Sequence, residues 1–225
     1  MAKPKLSRMP KTLQSYERKT PPRAWQRMLS GRRLDLLDPS PLDIEIGDIA
    51  HGLARVARWN GQTTGDHALS VAQHSLMVEE IAHHIAPDLS PQDRLIALLH
   101  DAPEYVVGDM ISPFKNALGM NYRTFEDRLE RAIHIRFGLP ATTPLALKQL
   151  IKQADRVSAF FEATQVAGFS ISEATQLFGS PPAGYTLTLQ PWPTRQAQTA
   201  YLERHHSLIS QIDALAPTNT KRKIP

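Results

Sequence analysis

Residues 90–110, SPQDRLIALLHDAPEYVVGDM, decide the class of fold. Ser90-Pro91 reads as an N-cap with proline in the first helical turn. Leu95, Leu98 and Leu99 then recur at helical spacing, and the helix is expected to run to about Val106. His100-Asp101 closes the apolar run Leu95-Ile96-Ala97-Leu98-Leu99. An Asp directly behind such a run is costly to bury unless a partner neutralises it. The same anomaly recurs elsewhere: His74 lies mid-helix in SVAQHSLMV (70–78), and Asp155 is set among Leu150, Ile151, Ala154 and Val157. A lone histidine in such a place is more often a hydrogen-bonded core group than a ligand. Three buried-looking polar sites on three helices share one economical explanation, a bound cation. Two imidazoles and two carboxylates are the mixed nitrogen and oxygen donors that divalent ions accept.

Outward from this stretch the pattern is helical. The spacing of Ile46, Ile49, Ala50, Leu53, Val56 and Ala57 predicts a helix over 44–59, which Asn60-Gly61 ends. A second helix is expected over about 66–85, closed by Pro87. After a loop containing Gly108, Pro113 and Gly119, Phe125, Leu129, Ile133 and Phe137 mark an amphipathic helix over 121–137, ended by Gly138. Thr143-Pro144 caps another that reaches 167–168, and shorter and longer helices follow at 172–178 and 194–215. Strand signals are almost absent. Only YTLTL at 185–189 alternates, as a short hairpin arm or an extended segment. The expected fold is all-α: one helical bundle with a flexible, disordered basic N-terminal leader (1–28), a core (29–170), a helical extension packed on it (171–215) and a basic tail (216–225).

The chain has 225 residues, 18 prolines and no cysteine, which excludes disulfides, thiolate metal sites and a cysteine nucleophile. This fits a cytoplasmic protein. No apolar run long enough to span a membrane occurs, and the basic N-terminus lacks the apolar region of a secretory signal. The net charge of +4 misleads. Residues 1–33 hold ten Lys/Arg against Glu17 alone, and the last five residues hold three more. Residues 34–219 therefore carry 13 basic and 21 acidic groups, a net of −8. That body would repel a polyanion, so nucleic acid is not an expected partner.

The pattern H…HD…D, with 26 residues from His74 to His100 and 54 from Asp101 to Asp155, resembles the HD superfamily of metal-dependent phosphohydrolases. The likeness continues through RWNGQT (58–63), SVAQHS (70–75), LLHDAPEYVVGDM (98–110), SPFK (112–115) and KQAD (152–155). Together these are similar to the branch that contains bacterial 5'-deoxynucleotidases and phage-associated deoxynucleoside triphosphate hydrolases. The resemblance covers roughly residues 30–170.

It implies that His74, His100, Asp101 and Asp155 bind one divalent metal ion, which could be Mn, Co, Fe, Zn or Mg. Glu104, three residues after Asp101, matches the HDxxE glutamate that would act as acid or base, with Asp101, in catalysis. Arg58-Trp59 matches a pair that contacts nucleotide: Arg offers a planar fork to oxygens, and Trp can pack on a deoxyribose. Asp109 and Ser112 fall in the family's substrate loop, and Lys115 could meet distal phosphates. Glu162, seven residues past Asp155, lies on nearly the same helix face and suits an outer-shell role. The expected reaction is metal-assisted hydrolysis of a small deoxynucleotide, a 5'-phosphate or a triphosphate, by a homodimer. A cyclic-nucleotide or alarmone phosphohydrolase and a non-enzymatic nucleic-acid-binding helical protein are the competing readings.

Overall fold

The computed structural model describes residues 24–109 and 121–215. Among them are eight α-helices: α1 (Ile46–Leu53), α2 (Val71–Ile85), α3 (Pro91–Leu98), α4 (Glu104–Val107), α5 (Asn121–Arg136), α6 (Leu145–Gln165), α7 (Ile171–Phe178) and α8 (Thr194–Leu215). The all-α class is borne out. Serines start three of them: Ser70, Ser90 and Ser170 each accept from the backbone N–H three residues on, and Glu173 completes a capping box with Ser170. Among the described residues no helix is long and apolar enough to cross a membrane.

The molecule is organised around α2, which packs against α3, α6 and α8. Eleven of its 15 residues are buried, as befits a central helix. Yet Gln73, His74 and Glu79 are among them, so the surrounding helices must supply polar partners. Glu79 receives Arg94 Nε from α3 at 2.6 Å and Arg204 Nη1 from α8.

Several elements depart from their expected bounds. The helix expected over 44–59 stops at Leu53, because the next residues pair instead of coiling: Val71 N–H donates to Val56 O and Arg58 N–H to Leu69 O. The helix expected from 66 starts at Val71, where Ser70 offers the better cap. The helix expected over 90–106 breaks into α3 and α4. Pro103 has no N–H to donate, and its ring excludes the carbonyl four residues back. Short bonds hold the turn instead: Ala102 N–H to Leu99 O (2.9 Å) and Glu104 N–H to Asp101 O (3.0 Å). His100-Asp101 therefore stands in a tight turn and not inside a helix. The loop expected to contain Gly108, Pro113 and Gly119 lies outside the described residues beyond Asp109.

The 185–189 segment is extended without being a strand. Two side-chain amides replace the missing neighbour: Gln165 pairs with Leu187 O and Leu189 N–H, and Gln73 with Gln190 O and Trp192 N–H. One small antiparallel ribbon does form, with Trp25–Arg27 against Arg33–Asp35. It takes in the last residues of the stretch read as leader. Leu34 is its anchor in the core, and Asp48 of α1 accepts from Ser30 N–H (2.9 Å) and Oγ (2.6 Å) at its turn.

Candidate active site

Helix α2, the α3–α4 turn and α6 bring His74, His100, Asp101 and Asp155 to one place. His74 Nε2 lies 3.4 Å from Asp101 Oδ2 and 3.3 Å from Asp155 Oδ1, and His100 Nε2 lies 3.2 Å from Asp101 Oδ2. Donor atoms of His74, His100 and Asp101 all fall within 4.8 Å of one another, so this His-His-Asp group could hold a metal ion.

The opposite ring nitrogens are committed. His100 Nδ1–H donates to Ala97 O at 2.9 Å, and His74 Nδ1–H donates to Glu162 Oε1 at 2.6 Å. Both acceptors fix the proton on Nδ1 and leave the Nε2 lone pair facing the cluster, the usual outer support of a metal-ligating histidine. Both Nε2 atoms are buried and make no hydrogen bond. A buried polar atom without a partner is costly, and two of them facing two carboxylates fit a cation.

Charge is balanced around the same point. Burial and the Arg58 charge oppose protonation of His74, but Glu162, Asp101 and Asp155 outweigh them and raise its pKa well above the usual imidazole range. Burial works against ionisation of Asp101, yet His100 and His74 hold it well below the carboxylate range. Asp155 is lowered too, chiefly by His74 against the cost of burial.

Glu162 is the hub of a wider network and is fully buried. Besides His74 it accepts from Ser158 Oγ (2.8 Å), Trp59 Nε1 (2.8 Å) and Arg58 Nε (3.4 Å). Arg58 also faces Asp109 Oδ2 at 3.5 Å. The residues expected to meet substrate, Arg58, Trp59 and Asp109, are thus tied to the cluster through one carboxylate. Trp59 has φ +57°, rare for a bulky residue, and its neighbour Asn60 has φ +51°. Its indole bond to Glu162 and its ring contacts with Phe169 (5.5 Å) and Phe178 (6.0 Å) hold that strained conformation. Glu104 is buried at the start of α4, one short turn after Asp101. Ser112 and Lys115 lie outside the described residues.

Ser158 escaped the sequence reading, although it stands three residues after Asp155 and four before Glu162 on one face. The expectation for Glu162 named its face correctly, but the convergence of four donors on it could not be read from spacing.

An all-helical fold with two histidines and two aspartates around a buried point defines a candidate metal-assisted hydrolase. Comparison with known proteins narrows this: the chain belongs to the YfbR-like 5'-deoxynucleotidase family, whose model matches residues 48–170. Membership implies a phosphohydrolase. An uncharacterized protein of Rhodobacter capsulatus is 58% identical over 194 residues, covering 84% of this chain and 98% of its own length.

Proposed function

We propose that the chain is a divalent-cation-dependent 5'-deoxynucleotidase in which His74, His100, Asp101 and Asp155 hold the ion. The observation that carries this reading is the pair of buried, unbonded Nε2 atoms facing Asp101 and Asp155. Mn, Co, Fe, Zn and Mg all suit the mixed donor set. A bound ion supplies acidification of water and neutralisation of phosphoryl charge. Glu104, buried one turn from Asp101, serves as the acid–base group that moves a proton to or from water and the leaving oxygen.

Asp109 suits a sugar hydroxyl, and the wedged Trp59 ring offers a fixed apolar wall to a deoxyribose. Arg58, held between Glu162 and Asp109, orients that edge of the site. Ser112 and Lys115 complete the proposed substrate contacts. The acting unit is proposed to be a homodimer, which mass measurement by light scattering tests.

The deciding experiment presents purified protein with deoxynucleoside mono-, di- and triphosphates and Mn, Co or Mg, and separates phosphate from triphosphate as product. Phosphate release from a monophosphate, abolished in Asp101→Ala, is expected. Normal turnover in Asp101→Ala would falsify the proposal.

A further inference from the structure

A cavity of about 260 Å³ adjoins the cluster, with His100 and Asp155 in its lining. Lys148 and Lys152 line it as well. On α6 these lysines and Asp155 stand at i, i+4 and i+7 and so share one helix face, which Glu162 continues two turns further on. The face runs from two cations, through the cluster, to the Glu162 hub.

The charges differ in how far they are already used. Arg58, the cation at the hub, is engaged by both Glu162 and Asp109. Lys148 and Lys152 make no side-chain ion pair among the described residues. The other acid in the lining, Glu130, accepts from Thr143 Oγ1 at 3.4 Å and lies 3.9 Å from His134 Nε2. Asp155 faces His74 Nε2 at 3.3 Å, so the remaining charge of the cavity is Lys148 and Lys152 against Glu130, two cations to one acid, in a body that is otherwise acidic. Ile96 and Ile151 give the cavity a buried apolar lining, which strengthens attraction at short range.

We propose that Lys148 and Lys152 form a phosphate subsite in this cavity, next to the His100–Asp155 edge of the cluster. The assignment deepens the deoxynucleotidase reading and rests on it for the source of the phosphate. Lysine is well suited here, because its ammonium is a mobile point charge that binds a phosphate without the rigid fork of arginine, and so lets it leave. Two sources share the chemistry, the phosphate released from a monophosphate and the distal phosphates of a triphosphate.

The test titrates inorganic phosphate and tripolyphosphate into the full chain by calorimetry, with the protein stripped of cations and again loaded with Mn. Lys148→Gln and Lys152→Gln are each expected to weaken anion binding roughly tenfold, the value of one charge-assisted contact, and Lys152→Arg to restore most of it. Their Mn affinity and thermal unfolding should stay at the wild-type values, since both side chains are exposed. Loss confined to tripolyphosphate assigns the cavity to distal phosphates; equal loss of both anions assigns it to released phosphate. Wild-type anion affinity in the double variant, or no anion binding by the wild-type chain in either state, overturns the subsite. Failure to hydrolyse any deoxynucleotide would instead sink the deoxynucleotidase reading, and the anion titrations would still decide the subsite.

Discussion

Glu162→Gln is the sharpest perturbation of the site because it changes one atom type and almost no volume. The carboxylate accepts four bonds: Nδ1–H of His74 and Oγ–H of Ser158 on one oxygen, Nε1–H of Trp59 and Nε–H of Arg58 on the other. A glutamine has one accepting oxygen, so its amide N–H must face one of these donor pairs. Facing Trp59 and Arg58, it sets donor against donor. Facing His74, it drives the imidazole proton from Nδ1 to Nε2, the atom that looks at Asp101 and Asp155. Either placement forfeits about two charge-assisted bonds, of which the amide recovers part, for a net loss of about 3 kcal/mol. The second placement also blocks the nitrogen that would meet a cation. Loss of outer support for a ligating histidine typically lowers metal affinity 10–100-fold. Mn titration of the cation-free protein by calorimetry and urea unfolding read the two effects separately. Mn affinity within twofold of wild type would refute the role given to Glu162.

Four further outcomes follow from particular contacts. Gly52→Ala places a Cβ 2.8 Å from Tyr105 Cβ and 3.0 Å from Tyr105 O, so α1 must push α4 aside; about 1–3 kcal/mol of stability should go, with a kcat loss as Glu104 shifts, read by melting and turnover. Glu79→Ala strands Arg94 and Arg204, but both reach solvent, so urea unfolding should report about 3 kcal/mol, the low end for a broken buried pair. Tyr201→Phe removes the hydroxyl that donates to Leu98 O at 3.2 Å, and should cost about 1–3 kcal/mol in urea unfolding and lower Mn affinity by loosening the turn that follows. His205 is buried and its pKa is lowered to about 4, first by burial and then by His206. The unfolded chain then binds the extra proton, so stability present above pH ~6.5 is lost as pH falls toward 4, by roughly 3 kcal/mol in all. His205→Leu, of similar volume, should flatten that part of the melting-temperature profile against pH, and an unchanged profile would count against it.

The elements that were legible are those whose signal is local. A serine cap or a closing glycine sets helix ends within a few residues, as at Ser90 and Gly138, because the deciding hydrogen bond spans three or four residues. His74, His100, Asp101 and Asp155 were legible for a related reason: a polar group in an apolar run is anomalous wherever the run packs. What was not legible depended on partners distant in sequence. Val56 fits a helical period, yet its carbonyl accepts from Val71 N–H, and that pairing ends α1 early. YTLTL alternates like a strand, but Gln73 and Gln165 bond the backbone of 187–192 and no second strand is needed. Arg58 read as a free fork for substrate, whereas Glu162, 104 residues away, already occupies it.

The same long-range logic places the C-terminal helix inside the working unit. The family match ends at residue 170, but α8 packs against α1, α2 and α3, and its fully buried Tyr201 reaches the last turn of α3. A helix leaves its final carbonyls without internal partners, and Leu98 O is one of these. Tyr201 satisfies it two residues before His100, where Pro103 prevents the helix from continuing. Gln73, adjacent to His74, fastens the extended lead into α8 from the other side. A turn that must hold His100 and Asp101 within 3.2 Å of each other needs fixed walls, and α8 supplies one of them. The matched region holds the candidate cluster, and its geometry depends on residues that no motif marks.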